Sequence, residues 1–126
     1  RAAAAAEALP ADAVLAGLSM GAGLASTLWA RRPETAGVLL LHGVGPVPDA
    51  PRPGTPLAAH LAEPDPFESE EWIDWWQGEA EARGLAPRVY RYPGAGHLFT
   101  DATIEDDDPA AAALLWGRAA GFLAGL

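Results

Sequence analysis

The stretch Ala13-Val14-Leu15-Ala16-Gly17-Leu18-Ser19-Met20-Gly21 restricts the fold more than any other part of the chain. A short apolar run bounded by Asp12 predicts a buried strand from Ala13 to Leu18. It passes with no linker into a G-x-S-x-G pentapeptide. From Met20 to Arg32 the pattern predicts a helix, and Pro33 stops it. Glycines at both ends of the pentapeptide let neighbouring backbone approach where a Cβ would clash. A serine on such a strand-to-helix turn is lifted clear of the sheet. The alternative is an ordinary glycine-rich turn, but the strand entering and the helix leaving favour the elbow.

The rest of the chain repeats this alternation. Residues 2–9 are Ala-rich and predict a helix ending at Pro10. Ala36 to His42 reads as a second buried strand, and a Pro/Gly-rich loop from Gly43 to Pro56 follows. Leu57 to Ala62 reads as a third strand. Ser69 is a candidate cap for a helix that runs to about Arg83 and stops at Gly84. Arg88 to Tyr92 alternates as a fourth strand. Asp108 and Pro109 make an N-cap and first-turn pair for a last helix with Leu115, Ala119, Phe122 and Leu126 along one face. Strands alternating with helices predict an α/β fold: a parallel sheet of about four strands with flanking helices. The link from the second strand to the third has no evident helix.

Composition narrows the function. The chain of 126 residues suits one domain or part of one, and its formal net charge is −9. That balance argues against nucleic acid and anionic membrane surfaces, which reward basic clusters. No run reaches the roughly 18–20 apolar residues of a membrane span. The sequence has no cysteine, so disulfides, thiolate chemistry and Cys-based zinc sites are excluded. The expected location is the cytoplasm. Glu105-Asp106-Asp107-Asp108 lacks the glycine and ligand spacing of a calcium loop and reads as a solvated run before a helix. Trp72, Trp75 and Trp76 have the spacing of a packing face, which is preferred over a sugar-binding platform.

Ser19 is the candidate nucleophile, and a serine hydroxyl needs a base. His97 lies in Tyr92-Pro93-Gly94-Ala95-Gly96-His97, in a loop beyond a strand end, where parallel sheets place active sites. His60 lies inside a strand and reads as a core histidine. His42 ends a strand and reads as a pocket-edge residue. Asp65, between the third strand and a helix, is the candidate partner of the base. Glu63 is its nearest competitor, and Asp101 is local to the His97 loop. Ser19…Asp65…His97 is the chain order of α/β-hydrolases. The N–H of Met20 at the helix start is the candidate oxyanion donor. Phe67 and Phe99 complete the candidate pocket residues with His42. No metal or cofactor is required by this set.

Three stretches together resemble the dienelactone hydrolase family of α/β-hydrolases: Val14 to Gly23, Asp65-Pro66-Phe67, and above all Arg91-Tyr92-Pro93-Gly94-Ala95-Gly96-His97-Leu98-Phe99. The Ala-rich last helix with Leu114-Leu115-Trp116 is similar to the family's closing helix. The resemblance implies Ser19 as nucleophile, His97 as base and Asp65 as its partner. It departs in two places. The best-known members carry cysteine where this chain has Ser19, so serine points to general ester hydrolysis. The dienelactone-cleaving members carry an arginine four residues after the histidine, where this chain has Asp101, which would repel a substrate carboxylate. The family domain also has several strands ahead of the elbow. The chain opens on Arg1 just before it, so residues 1–126 are expected to be the C-terminal part of such a domain with the N-terminal strands missing, either as a piece of a longer sequence or as a chain that completes its sheet with a partner.

The expected function is a serine hydrolase acting on a small ester, lactone or thioester through an acyl-enzyme. The competing classes are a truncated, non-catalytic remnant that binds a ligand or partner, and a peptidase or acyltransferase on the same three residues.

Overall fold

The computed structural model describes residues 1–126 and contains α1 (Ala2–Glu7), β1 (Leu15–Leu18), α2 (Met20–Trp29), β2 (Val38–Leu41), β3 (Leu57–Glu63), α3 (Glu70–Ala82), β4 (Arg88–Pro93) and α4 (Pro109–Ala124). The strands form one sheet in the order β1-β2-β3-β4, with every neighbouring pair parallel. The register sets Leu15 beside Val38, Val38 beside Leu57, and Ala58 beside Arg88. Strand β1 begins two residues later than its apolar run suggests, because Ala13 closes a turn onto the Pro10 carbonyl and pairing starts at Leu15.

Side chains alternate across the sheet and build two cores. Val38 and Leu40 face one way and pack with Leu15, Leu57, Ala59 and Leu61 against Ala22, Ala25 and Trp29 of α2 and Ile73, Trp76 and Ala80 of α3. Leu39 and Leu41 face the other way and pack with Ala58, Ala62, Tyr92 and Phe99 against Leu115, Ala119 and Phe122 of α4. Both faces of β2 are therefore covered, which explains its unbroken apolar run. Each fully buried leucine of this kind contributes about 1.5–3 kcal/mol relative to an exposed one.

Local chemistry sets the helix ends. Ser69 caps α3 by accepting from Trp72 N at 3.2 Å, and Asp108 caps α4 by accepting from Ala111 N at 3.0 Å. Helix α2 ends at Trp29, three residues earlier than expected. Arg31 N and Arg32 N bond to Leu28 O and Trp29 O, the tighter three-residue spacing of a terminal turn before Pro33. Leu126 lies beyond α4 and is half exposed, so the core face of that helix stops at Phe122.

The link from β2 to β3 is a loop without a helix. It is pinned by the Trp76 indole, which donates to Gly45 O at 2.9 Å. Gly45 lies so close to α2 that a Cβ there would stand 2.8 Å from Gly23 Cα and Ser26 Cβ. The tryptophans divide by role. Trp76 is fully buried and Trp72 packs on the core, whereas Trp75 is exposed and stacks on Trp72 with ring centroids 5.2 Å apart. Strand β1 is a sheet edge, and Leu18 on it is 48% exposed.

Candidate active site

Ser19 stands at the junction of β1 and α2 with φ 51° and ψ −116°. This is a left-handed backbone that a non-glycine residue adopts only when its surroundings hold it there. They do so from two sides. Ser19 N donates to Leu41 O at 2.7 Å, and Ala22 N donates to Ser19 O at 2.9 Å. Gly17 makes the turn sterically feasible. A Cβ there would stand 2.1 Å from Gly21 O, 2.4 Å from Gly21 C and 2.7 Å from Ala22 N, all of them backbone atoms that cannot rotate away. Gly17→Ala is therefore expected to destabilise the chain by about 3 kcal/mol or more, read as a fall in the urea midpoint. Gly78→Ala, in the middle of α3 with nothing within 4 Å, is expected to raise the midpoint slightly. An unchanged midpoint for Gly17→Ala would mean that residue 17 does not lie this close to the Gly21 backbone.

The fold brings Ser19, His97 and Asp65 into one row. Ser19 Oγ lies 2.8 Å from His97 Nε2, and His97 Nδ1 lies 2.7 Å from Asp65 Oδ2 and 3.0 Å from Oδ1. An ionised carboxylate only accepts, so Nδ1 carries the proton and Nε2 is free to accept from the serine hydroxyl. Asp65 is itself fixed, because Phe67 N donates to its Oδ1 at 2.8 Å. The Asp65 side chain is fully buried and the His97 ring is nearly so. Three separate strand ends supply the row: β1 supplies Ser19, the turn after β3 supplies Asp65, and the loop after β4 supplies His97. All lie at the carboxyl ends of the parallel strands, where such sheets place their sites.

Ser19 and His97 open onto a cleft of about 560 Å³ lined also by Met20, Gly23, Val44, Phe67, Glu68, Leu98 and Asp106. Met20 occupies the first helical position, where no earlier turn can accept its N–H. Its side chain is 90% exposed. Phe67 lies on the cleft wall, 74% exposed, with its ring centroid 4.6 Å from that of His97.

His42 and Phe99, expected at the pocket edge, are both fully buried and line no part of the cleft. At His42 the chain turns with φ 59°, and the ring drops behind His97 rather than into the opening. Phe99 meets it edge-on at 4.7 Å and packs on Tyr92. His42 Nε2 and Thr100 Oγ1 share a 2.7 Å hydrogen bond, which ties β2 to the loop that carries His97. Burial pushes His42 down from 6.5 to about 4, helped by the neighbouring His97. His60 is a core histidine, fully buried, sharing a 2.8 Å hydrogen bond with the Tyr92 hydroxyl and stacked on Tyr90. Burial pushes it too down to about 4, with the Arg118 charge adding to the effect.

Two cleft residues escaped the sequence reading. Glu68 Oε1 accepts from Val44 N at 3.3 Å, while its Oε2 is buried with no partner. Burial pushes its carboxyl above the usual range. No sequence signal marked it beyond its place in the turn after Asp65. Asp106, read as one of a solvated acidic run, instead accepts from Leu98 N at 3.0 Å and lines the cleft. Asp101 stays local: its Oδ1 accepts from Thr103 N at 2.9 Å and from Thr103 Oγ1 at 2.6 Å. No helix of the chain is long and apolar enough to cross a membrane.

A parallel sheet flanked by helices, with a serine on the turn from a strand into a helix and a histidine and a carboxylate from later strand ends, is the architecture of the α/β-hydrolases. The chain belongs to the dienelactone hydrolase family, whose family model matches residues 2–126. Membership makes it a hydrolase of the α/β-hydrolase type. No curated protein matches it.

Proposed function

We propose that the chain is a serine hydrolase of small carboxylic esters, lactones or thioesters, with Ser19 as nucleophile, His97 as base and Asp65 as the group that orients His97. The observation that carries this reading is the unbroken hydrogen-bonded row from Ser19 Oγ through both His97 nitrogens to Asp65.

The chemistry follows from the row. As Ser19 Oγ attacks the carbonyl carbon, its proton passes to His97 Nε2. The imidazolium that forms is stabilised by Asp65, whose burial keeps water from screening the pair. The oxygen that becomes negative is met by the N–H of Met20 at the start of α2, where the helix end adds a favourable field. His97 then returns the proton to the departing alcohol or thiol, leaving Ser19 acylated. A water molecule loses a proton to Nε2, attacks the acyl carbon and releases the acid, and Ser19 regains its proton. The geometry before reaction already matches the requirement for general base catalysis, a heavy-atom distance of about 2.6–3.2 Å.

A reactive serine can be tested without a known substrate. Treatment with an ethyl p-nitrophenyl alkylphosphonate is expected to add one phosphonyl group per chain, on the peptide that carries Ser19, as read by mass spectrometry. His97→Gln should slow that labelling by about a hundredfold or more, because the hydroxyl then lacks its base. Labelling spread over several serines, or at an equal rate without His97, would sink the assignment.

A further inference from the structure

The charges around the cleft point to the class of ester it takes. Glu68 and Asp106 both line it beside Ser19 and His97. All eight basic residues of the chain are arginines, and none lines the cleft. Arg91 is engaged elsewhere. Its guanidinium donates to both Glu70 oxygens, at 2.8 and 2.6 Å, and to Ala62 O at 3.1 Å. Arg118 is held over the rings of Tyr90 and Tyr92 on the α4 side of the sheet.

The two carboxylates are placed differently. Asp106 spends Oδ2 on the Leu98 N–H. Glu68 spends Oε1 on Val44 N and keeps Oε2 buried and unpartnered. The Trp72 side chain also supports the Glu68 carboxyl, but no cation of the chain neutralises it, so its charge at the cleft wall favours a ligand's positive group and disfavours a negative one. The exposed face of Phe67 adds a second, independent attraction for a cation in the same cleft.

We infer that Glu68 and Asp106, with the Phe67 ring, determine specificity: the cleft selects esters that carry a positive charge, of the quaternary ammonium kind, and rejects esters that carry a free carboxylate. The inference rests on the reading of Ser19 as the nucleophile of an ester hydrolase. The positive group sits between the Phe67 ring and the two acidic side chains, while the scissile carbonyl sits between Ser19 Oγ and the Met20 N–H. A carboxylate in the same position meets two negative charges and no arginine.

Three p-nitrophenyl esters of similar length test this at pH 8 and low salt: those of γ-(trimethylammonio)butyric acid, of valeric acid and of glutaric acid with its far carboxylate free. The expected order of kcat/KM is cationic, then neutral, then anionic. The cationic ester should exceed the anionic one by about a hundredfold, a gap that narrows in high salt. Glu68→Gln retains an acceptor for Val44 N–H and removes the charge. It is expected to shrink the cationic-to-anionic ratio about tenfold, and Asp106→Asn to shrink it further. The ratio is the readout because a general loss of activity does not move it. A wild-type ratio near one, or a ratio unmoved by both substitutions, overturns the inference while leaving the hydrolase reading intact. If none of the three esters is turned over, the hydrolase reading fails. Titration with choline and with glutarate, followed on the His97 imidazole signals by proton NMR, then decides the charge preference alone. Tighter choline supports it, and equal or tighter glutarate overturns it.

Discussion

Ser19→Ala is expected to lower p-nitrophenyl acetate turnover by about 10⁴–10⁶-fold, the largest effect of any single substitution in the chain. The loss follows from position rather than packing. Ser19 Oγ is half-buried at the cleft floor and its one partner is His97 Nε2 at 2.8 Å. Its removal leaves no atom within reach of a carbonyl carbon that could form the acyl-enzyme. The rate that survives should come from the Met20 N–H and from holding the ester in place, and amounts to about 10³ over water. Because Ser19 and His97 act as one unit, Ser19→Ala with His97→Gln should cost no more than Ser19→Ala by itself. Asp65→Asn should cost about 10⁴-fold, since an amide NH₂ facing Nδ1 holds the imidazole in the tautomer that cannot accept from Ser19. Steady-state rates of the three variants, each with an unchanged circular dichroism spectrum, check the set. Normal turnover by Ser19→Ala would remove the serine from the chemistry.

The second large effect is on stability in mild acid. His42 and His60 are fully buried, and burial pushes both from 6.5 down to about 4. In the unfolded chain both titrate near 6.5, so between about 6.5 and 4 the unfolded state binds more protons than the folded one. Stability contributed by keeping these rings neutral is therefore fully present above about pH 6.5 and is lost as pH falls towards 4. A shift of this size corresponds to roughly 3 kcal/mol per histidine, and the two together rival a small domain's whole stability of about 5–15 kcal/mol. Three carboxyls are shifted as well: Glu68 upward, and Glu70, bonded by Arg91, and Asp101 downward. Glu68 is shifted upward by burial and opposes the loss. Asp101, held down by its bonds from Thr103, acts in stronger acid. Urea unfolding at pH 7, 5.5 and 4.5 should show the decline. His42→Asn with His60→Gln should flatten it, because neither side chain gains a proton there. A wild-type profile flat from pH 7 to 4.5 would show that the rings protonate in place.

Much of the architecture is readable in short windows. The run Ala13 to Leu18, the glycines around Ser19 and the helix after it are neighbours in sequence, and the strand-turn-helix unit is made by neighbours in space. The caps at Ser69 and Asp108 are likewise three-residue events, with donors at Trp72 and Ala111. Errors fell where position depends on something distant. His42 ends an apolar strand at the carboxyl edge of the sheet, which describes a pocket residue equally well as a buried one. Its φ of 59° and its partner Thr100, from another loop, turn it inward. Trp72, Trp75 and Trp76 share a helical spacing, yet only the packing against Gly45 and the first core decides that Trp75 stays outside.

By itself, the sequence determined the alternating strands and helices, the backbone strain at Ser19 and the chain order Ser19, Asp65, His97. These depend on apolar period, on glycine and proline, and on contacts within a few residues. The tertiary structure decided which groups meet. Ser19 and His97 are 78 residues apart, and Asp65 and His97 are 32 apart. Their hydrogen bonds exist because three parallel strands end at one edge. It also decided what surrounds them: His42 and Phe99 beneath the site, Glu68 and Asp106 on its walls, and no arginine in the cleft. No periodicity encodes those facts, because a side chain's facing is set by the elements that pack against it from elsewhere in the chain.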